Sequence, residues 1–357
     1  MQTISEGNRL YASGRYAEAL KVYEDVSQVY PGLAASLRLS IVRCQRRLAS
    51  VNSLKLNKLK DDRFEVERPP STTPSHIDRD PQIAVTMTTI RSRLPLAQKV
   101  VESLHAQRLS PARILLNVSS EPYLLDEGIS PYDELLRALS SMPLVKVNWV
   151  RNIGSYRRIW PFLEQHFSQS VTTDKLFVTV DDDTIYPDYF LETLFRKYQE
   201  MDCIVAFRGR HIEWDGLTIA PYNKWTWGQT TATLRNLPIG KDGILYSTKF
   251  FTRDFLALDD ALALAPTADD LWIKWHCALN GVPSIILHPE ARTSDYKGFP
   301  VVDYSSEYRT ISLYTMHNSG AKERRNDLTV HRLEKYYLEK YGYDLGRLVL
   351  ESQVLAL

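Results

Sequence analysis

The chain has 357 residues, enough for two or three domains and a substantial core. Its 44 basic and 43 acidic side chains nearly cancel, so no global field selects for nucleic acid, and the 44% hydrophobic share is ordinary for a globular protein. No window approaches the roughly 20 apolar residues of a membrane span, the first residues lack a signal-peptide pattern, and three widely spaced cysteines (Cys44, Cys203, Cys277) suit reduced, buried thiols in a cytoplasmic setting.

Residues 7–31 read GNRLYASGRYAEALKVYEDVSQVYP. The pattern predicts two amphipathic helices meeting at Ser13-Gly14-Arg15, with Ala19 allowing close approach and Tyr23 filling the space between them. Gly7, Leu10, Gly14, Tyr16, Ala19, Tyr23 and Pro31 fall at the spacing of a tetratricopeptide repeat, which this segment resembles. Residues 32–48 predict a third helix with Leu33, Leu37, Ile41 and Cys44 along one face. Such arrays need about three repeats to stand alone, so the unit at 1–65 is expected to dock on the rest of the chain, a protein partner or a second copy. An ordinary helical hairpin is the alternative. Residues 66–81, rich in proline, serine, threonine and charge, read as a linker. The basic residues before it, among them Arg43, Arg46, Arg47, Lys55, Lys58 and Lys60, read as a solvated face. The sharper alternative is peripheral contact with an anionic membrane.

From Gln82 onward strands alternate with helices, the pattern of an α/β sheet. Strands are expected at 83–89, 113–119, 145–150 and 176–180, and a helix at 96–107. The sequon Asn117-Val118-Ser119 falls inside a strand and reads as chance. After the third strand, Gly154 permits close backbone approach, and the residues following it should open a helix whose first amides can bind an anion. Arg157 and Arg158 offer guanidinium groups to phosphate oxygens. The fourth strand ends in Asp181, Asp182 and Asp183. Adjacent carboxylates repel unless neutralised, and a hard divalent cation, Mg²⁺ or Mn²⁺, would neutralise them. Alternation would point Asp181 and Asp183 to one side and Asp182 to the other. A solvated acidic turn before Pro187 is the plainer reading.

Further along, a strand is expected within 201–211. Trp225 and Trp227 either stack on a sugar or divide into one core and one edge residue. Gly240 and Gly243 permit close backbone approach within a strand-like segment. A helix opens near Asp269 and runs to about residue 279, where Thr267 and Asp270 fit an N-terminal capping box. Thr315-Met316-His317-Asn318-Ser319-Gly320 then precedes a charged helix at 322–341.

A hydrophobic strand running into D-x-D resembles the signature of nucleotide-sugar-dependent glycosyltransferases of the A-type fold, family-2-like, and the resemblance covers 82–319. It implies an α/β catalytic domain at 82–320, a Rossmann-like mixed sheet flanked by helices, preceded by the small all-α unit and followed by a helical extension at 321–357. The implied reaction moves a sugar from a nucleoside diphosphate sugar, with UDP expected, to a hydroxyl of a glycan, glycolipid or protein acceptor. Surface polysaccharide or glycolipid synthesis is the implied setting. By the same resemblance Thr88, Thr89 and Arg93 touch the donor's base and ribose. Gly154, Tyr156, Arg157 and Arg158, matching N-x-G-x-Y-[RK]-[RK], lie beside its diphosphate, with Asp181, Asp182 and Gly243 completing the donor site. Asp181, Asp183 and a late histidine, His317, would hold the metal, imidazole suiting Mn²⁺ better than Mg²⁺. The pair Asp269-Asp270 would supply the catalytic base, Asp270 before Asp269, and a base of this kind implies inversion.

Two other classes compete. A sugar-nucleotide nucleotidyltransferase should carry a glycine-rich first loop, where this chain has TTIRSRL. A non-catalytic tetratricopeptide scaffold should lack the metal and base carboxylates, and both sets are present.

Overall fold

The computed structural model describes residues 4–12, 15–29, 37, 41, 44–45, 48, 82–169, 173–216, 218–287, 298–302 and 325–354. The chain divides into two compact units. The smaller takes Met1–Asp80, Leu279–Gly281 and Tyr337–Leu357, and the larger Pro81–Ala278 and Val282–Tyr336.

In the smaller unit, helices Ile4–Ala12 and Tyr16–Val29 pair as a hairpin. Ala19, Val22, Tyr23 and Val26 bury together with Leu37 and Cys44. Gly7 lies against the Tyr23 ring, where a Cβ would fall 2.5 Å from it, so a small residue is needed there. A hairpin is common to both readings of this segment. Ser13, Gly14, Leu33 and the 66–81 segment lie outside the described residues.

The strands of the larger unit begin with β1 (Ile83–Thr88), β2 (Arg113–Val118), β3 (Val145–Trp149) and β4 (Leu176–Thr179). Next come β5 (Ile204–Ala206), β6 (Gly209–His211), β7 (Trp214–Asp215) and β8 (Thr218–Ile219). The last are β9 (Thr226–Trp227), β10 (Asn236–Pro238), β11 (Ile244–Ser247) and β12 (Ser284–Ile286). Seven of them form a mixed sheet in the order β12-β5-β11-β4-β1-β2-β3. β11 runs antiparallel to both its neighbours, and every other pairing is parallel. The sequences IAVTMT, RILLNV and LFVT are buried almost without interruption, because helices cover both faces of a parallel region. The first of these helices, Leu94–His105, turns Leu94, Ala97, Val100, Val101 and Leu104 to the core. It starts two residues before its sequence-expected position, since Pro95 suits a first helical turn. Smaller sheets, β10-β6-β9 and the β7-β8 hairpin, extend from the central one.

A buried polar relay crosses the sheet toward the site. Asn148 Nδ2 donates to Asn117 Oδ1 at 3.0 Å, Asn117 Nδ2 to Thr86 Oγ1 at 2.9 Å, and Thr86 Oγ1 to the Arg158 carbonyl at 2.8 Å. Each buried group thereby keeps a partner, and Arg158 is fixed to the sheet. The three cysteines are free and buried. Among the described residues, no helix is long and apolar enough to cross a membrane.

Candidate functional site

A cavity of about 580 Å³ opens at the carboxyl ends of β1 and β4, where ligands gather in open α/β sheets. Six aspartates and six cationic side chains line it, drawn from segments far apart in sequence.

Arg158 joins three of those segments. It ends a 3-10 turn, Gly154–Arg158, and its side chain is 10% exposed. Nη1 lies 3.2 Å from Asp181 Oδ1. Nε and Nη2 both reach one oxygen of Asp269, Oδ2, at 2.9 and 2.8 Å, and Nη2 reaches Asp270 Oδ1 at 2.6 Å. Ser155 Oγ donates to the other oxygen of Asp269 at 2.9 Å. The Gly240 amide donates to both oxygens of Asp270 at 3.2 Å each. Glycine at 240 leaves room for this contact, because a Cβ there would fall 1.8 Å from Arg158 Nη1. Asp269 and Asp270 open the helix Asp269–Leu279 as expected, yet the Asp270 carboxylate reaches across to Arg158 and Gly240 rather than serving only its own helix. Burial pushes the Asp270 carboxyl up to about 7, although Arg158 opposes the rise.

In the aspartate triplet Asp181 and Asp183 are the more exposed carboxylates and Asp182 the more buried, the division expected of them, although it is not set by a strand. β4 ends at Thr179, and Asp182 and Asp183 lie in a bend, so strand geometry no longer dictates which way they face. Asp182 and Asp183 share Arg93, at 3.0 Å from Asp182 and in direct contact with Asp183, while Asp181 pairs with Arg158. Thr89 Oγ1 donates to Asp182 at 2.7 Å. Asp182 is therefore pinned to the first turn with its side chain 8% exposed, whereas Asp181 and Asp183 are each 29% exposed to the cavity. Burial raises the Asp182 carboxyl to about 6. The segment 298–302 braces the triplet, with the Val302 amide donating to the Asp183 carbonyl at 2.8 Å.

Arg157 is buried against Asp126 at 2.9 Å, and Asp126 is held in turn by Asn152 and the Gly128 amide. Arg157 Nη1 and Arg93 Nε have no hydrogen-bond partner among the described residues, although both side chains line the cavity. Buried guanidinium N–H groups without acceptors suit an anionic ligand. Thr88 also lines the cavity, its hydroxyl donating to the Asn117 carbonyl at 2.8 Å.

Several expected positions fall elsewhere. Tyr156 is fully buried, its hydroxyl donating to the Ala265 carbonyl at 2.9 Å, so it ties the turn to a neighbouring segment and does not line the cavity. Gly243, at φ +86°, is held against the Phe190 ring in the core, where a Cβ would lie 2.4 Å away. Gly154 does line the cavity, at φ +63°. The helix after it begins only at Trp160, past a 3-10 turn and just before Pro161, so arginine side chains supply the donors expected of helix amides. Trp225 is core and Trp227 edge, at 2% and 37% exposure. His317 lies outside the described residues. Asp126, Arg208, Arg210 and Lys241 line the cavity without having been anticipated, since they come from loops and short strands with no periodic signal.

The oxygens of Asp181 and Asp183 fit Mg²⁺ or Mn²⁺, ions held by one or two carboxylates with the remaining ligands from substrate phosphates and water. Among the described residues no three His, Cys, Asp or Glu side chains converge on one metal position.

No protein-family model and no curated protein sequence matches the chain. Among solved structures it is similar to a mannosyltransferase from Pyrobaculum calidifontis in complex with GDP-Man and Mn²⁺, at 13% identity over 89% of this chain and 85% of that one, with a TM-score of 0.39. It is also similar to S. aureus TarS 1-349 in complex with UDP, at 14% identity over 72% of each chain and a TM-score of 0.37. A 4-diphosphocytidyl-2C-methyl-D-erythritol synthase is similar at 13% identity over 58% of this chain and 88% of that one, with a TM-score of 0.34. Likenesses at this level transfer no activity.

Proposed function

We propose that the larger unit is a metal-dependent glycosyltransferase that takes a sugar from a nucleoside diphosphate sugar, UDP-linked in the first instance, to an acceptor hydroxyl with inversion. The observation that carries the reading is Arg158 binding Asp181, Asp269 and Asp270 at once, which joins the aspartate triplet and the acidic helix start in one cavity. Arg157 and Arg93 each have a buried N–H without an acceptor among the described residues, suited to diphosphate oxygens. Thr88 ends β1 and Thr89 begins the first turn, where the base and ribose would lie. Asp181 and Asp183, with His317 as a further ligand, would hold Mn²⁺ or Mg²⁺, which would offset charge on the departing diphosphate.

In the step itself, an acceptor oxygen forms a bond to the anomeric carbon as the bond from that carbon to the diphosphate oxygen breaks. The acceptor proton passes to the Asp270 carboxylate, and the nucleoside diphosphate leaves with the electron pair. A carboxyl near 7 is matched to that task at neutral pH, and Arg158 orients it. Residues 1–65 serve as a docking unit for a partner or second copy, joined through the 66–81 linker to a catalytic domain at 82–320 and an extension at 321–357. Surface polysaccharide or glycolipid synthesis, with peripheral membrane contact, is the setting this reading favours.

Calorimetric titration of UDP and GDP with and without Mn²⁺, followed by assays of nucleotide-sugar turnover, tests the reading. Micromolar, metal-dependent binding of a nucleoside diphosphate and slow release of sugar to water are expected. No affinity for either nucleotide overturns it. Pyrophosphate release from a nucleoside triphosphate with a sugar phosphate would replace it by nucleotidyl transfer.

A further inference from the structure

Residues of β6 and β10, two strands of the small sheet β10-β6-β9, line part of the cavity. Leu237 of β10 pairs with Arg210 of β6, and Arg210 pairs with Trp227 of β9, so the three form one row across the sheet. At the usual strand spacing the row spans about 10 Å. Its orientation is fixed by packing: Cβ atoms added at Gly209 or Gly228 would each come within 2.4 Å of Ile286, so those positions are pressed against β12. Leu237 and Arg210 line the cavity, and Trp227 extends the row as a partly exposed ring. The Arg210 guanidinium sits 4.9 Å from the Trp227 ring centroid, and that of Arg208 sits 5.9 Å from it. The row starts three residues before Gly240, whose amide holds Asp270.

The cations of this cavity are not equivalent. Arg93, Arg157 and Arg158 are each bound to carboxylates at 3.2 Å or less. Arg210 has no carboxylate partner among the described residues; it touches the Trp227 ring and makes a long bond to the Trp225 carbonyl at 3.4 Å. A guanidinium placed over an indole and beside a cavity, with no carboxylate partner among the described residues, is suited to receive an anion. The ring next to it offers an apolar face of the kind on which a sugar packs.

We propose that Leu237, Arg210 and Trp227 form an acceptor subsite specific for a sugar that carries an anionic group, a phosphate or a carboxylate. The inference rests on the glycosyl-transfer reading for the word acceptor, since Asp270 lines the same cavity as Leu237 and Arg210. The sugar lies along Leu237 and Trp227, Arg210 pairs with the anionic group, and a hydroxyl is turned toward Asp270. Arg208, 3.7 Å from Asp242, adds a second positive charge to the same ring.

The test is calorimetry on the full-length protein with glucose 6-phosphate, glucuronate, glucose and inorganic phosphate, each with and without saturating UDP and Mn²⁺. At least one anionic sugar is expected to bind about tenfold or more tightly than glucose, the scale of one charge-assisted contact. Which of the two prevails identifies the anionic group. Arg210→Gln should remove that preference, while Trp227→Ala should weaken anionic and neutral sugars alike. Lys224→Gln, which removes an exposed cation paired with Asp215 at 3.5 Å and not lining the cavity, should leave the preference intact. Equal binding of glucose and both anionic sugars, or an unchanged preference in Arg210→Gln, overturns the subsite. Displacement of UDP by glucose 6-phosphate and by inorganic phosphate alike also overturns it, by placing the anion at the donor's diphosphate. Retained sugar preference without any UDP binding supports the subsite and counts against the glycosyl-transfer reading alone.

Discussion

Arg158 Nη2 lies 2.6 Å from Oδ1 of Asp270, while Nη1 of the same guanidinium lies 3.2 Å from Asp181. One cation therefore couples a carboxylate at the start of a helix to a carboxylate after a strand 89 residues earlier (270 less 181). Removing either aspartate changes the charge felt by the other. The relay from Asn148 through Asn117 and Thr86 to the Arg158 carbonyl keeps that cation in place from the sheet side.

The pH dependence of turnover follows from the same pair. Burial raises the Asp270 carboxyl to about 7, and Arg158 works against the rise. A base must be deprotonated, so kcat/KM should climb with pH and level off above about 7. The stability term has the opposite sense. The folded state holds this proton to higher pH than the unfolded chain does, so the contribution of Asp270 to stability falls as pH rises from about 4 toward 7. Arg158→Gln removes the opposing cation and should move the acid limb upward by about one unit or more. Arg158→Lys should move it less. A limb that stays in place in Arg158→Gln would mean that the titrating base is not Asp270.

Gly240→Ala offers a steric test with no change of charge. The new methyl carbon would overlap Arg158 Nη1, a side-chain end that can shift, so the fold should survive at a cost of about 1–3 kcal/mol. The displaced guanidinium would leave Asp181, Asp269 and Asp270 misaligned. Turnover should fall by about 10²-fold or more, as a misplacement near 1 Å can produce. Thermal melting and steady-state kinetics on the same sample separate the two effects, and near-normal turnover would show that the Arg158 contacts are dispensable.

What the sequence revealed depended on whether chemistry was contiguous. Three aspartates closing an apolar strand and two arginines beside a glycine are visible in a short window, and these segments meet in one cavity. A short motif does not disclose which side of a turn a residue takes, and so Tyr156 groups with Arg157 and Arg158 in sequence while its ring enters the core. Asp182 is set apart from the more exposed Asp181 and Asp183, but the strand stops at Thr179 and the chain bends, so contacts with Thr89 and Arg93 hold it there rather than strand geometry. Gly240 and Gly243 look alike in LPIGKDGILY, yet one faces Arg158 and the other Phe190. Arg210 comes to the cavity through strand pairing, and Asp126 through a tight loop that Asn152 and Arg157 brace from afar, and no periodic pattern marks either.

Metal dependence can be read from Asp183. In Asp183→Ala, Arg93 keeps Asp182 at 3.0 Å and Thr89 keeps its bond to the same carboxylate, so the first turn should remain in place. Loss of Asp183 takes away one of the two exposed carboxylates and should abolish Mn²⁺-dependent nucleotide binding. Titrations with and without EDTA check this in both proteins. Affinities that ignore both EDTA and the substitution would remove the metal from the proposal.

Asp270→Asn decides the role of the acidic pair. If Asp270 only caps its helix, asparagine caps nearly as well, and the change should cost about 1 kcal/mol or less with activity within a few fold. If Asp270 is the base, the amide keeps the size of the group but removes the proton acceptor. Turnover should then fall by roughly 10²- to 10⁴-fold with nucleotide affinity little altered. The exposures favour Asp270 over its neighbour: its side chain is 23% exposed, whereas Asp269 is 6% exposed and already accepts from Ser155 and Arg158. Asp269→Asn should therefore act mainly through Arg158, lowering stability and activity together. Near-normal turnover in Asp270→Asn with a collapse in Asp269→Asn would transfer the base to Asp269. Near-normal turnover in both would leave no general base in this pair and would favour retention over inversion.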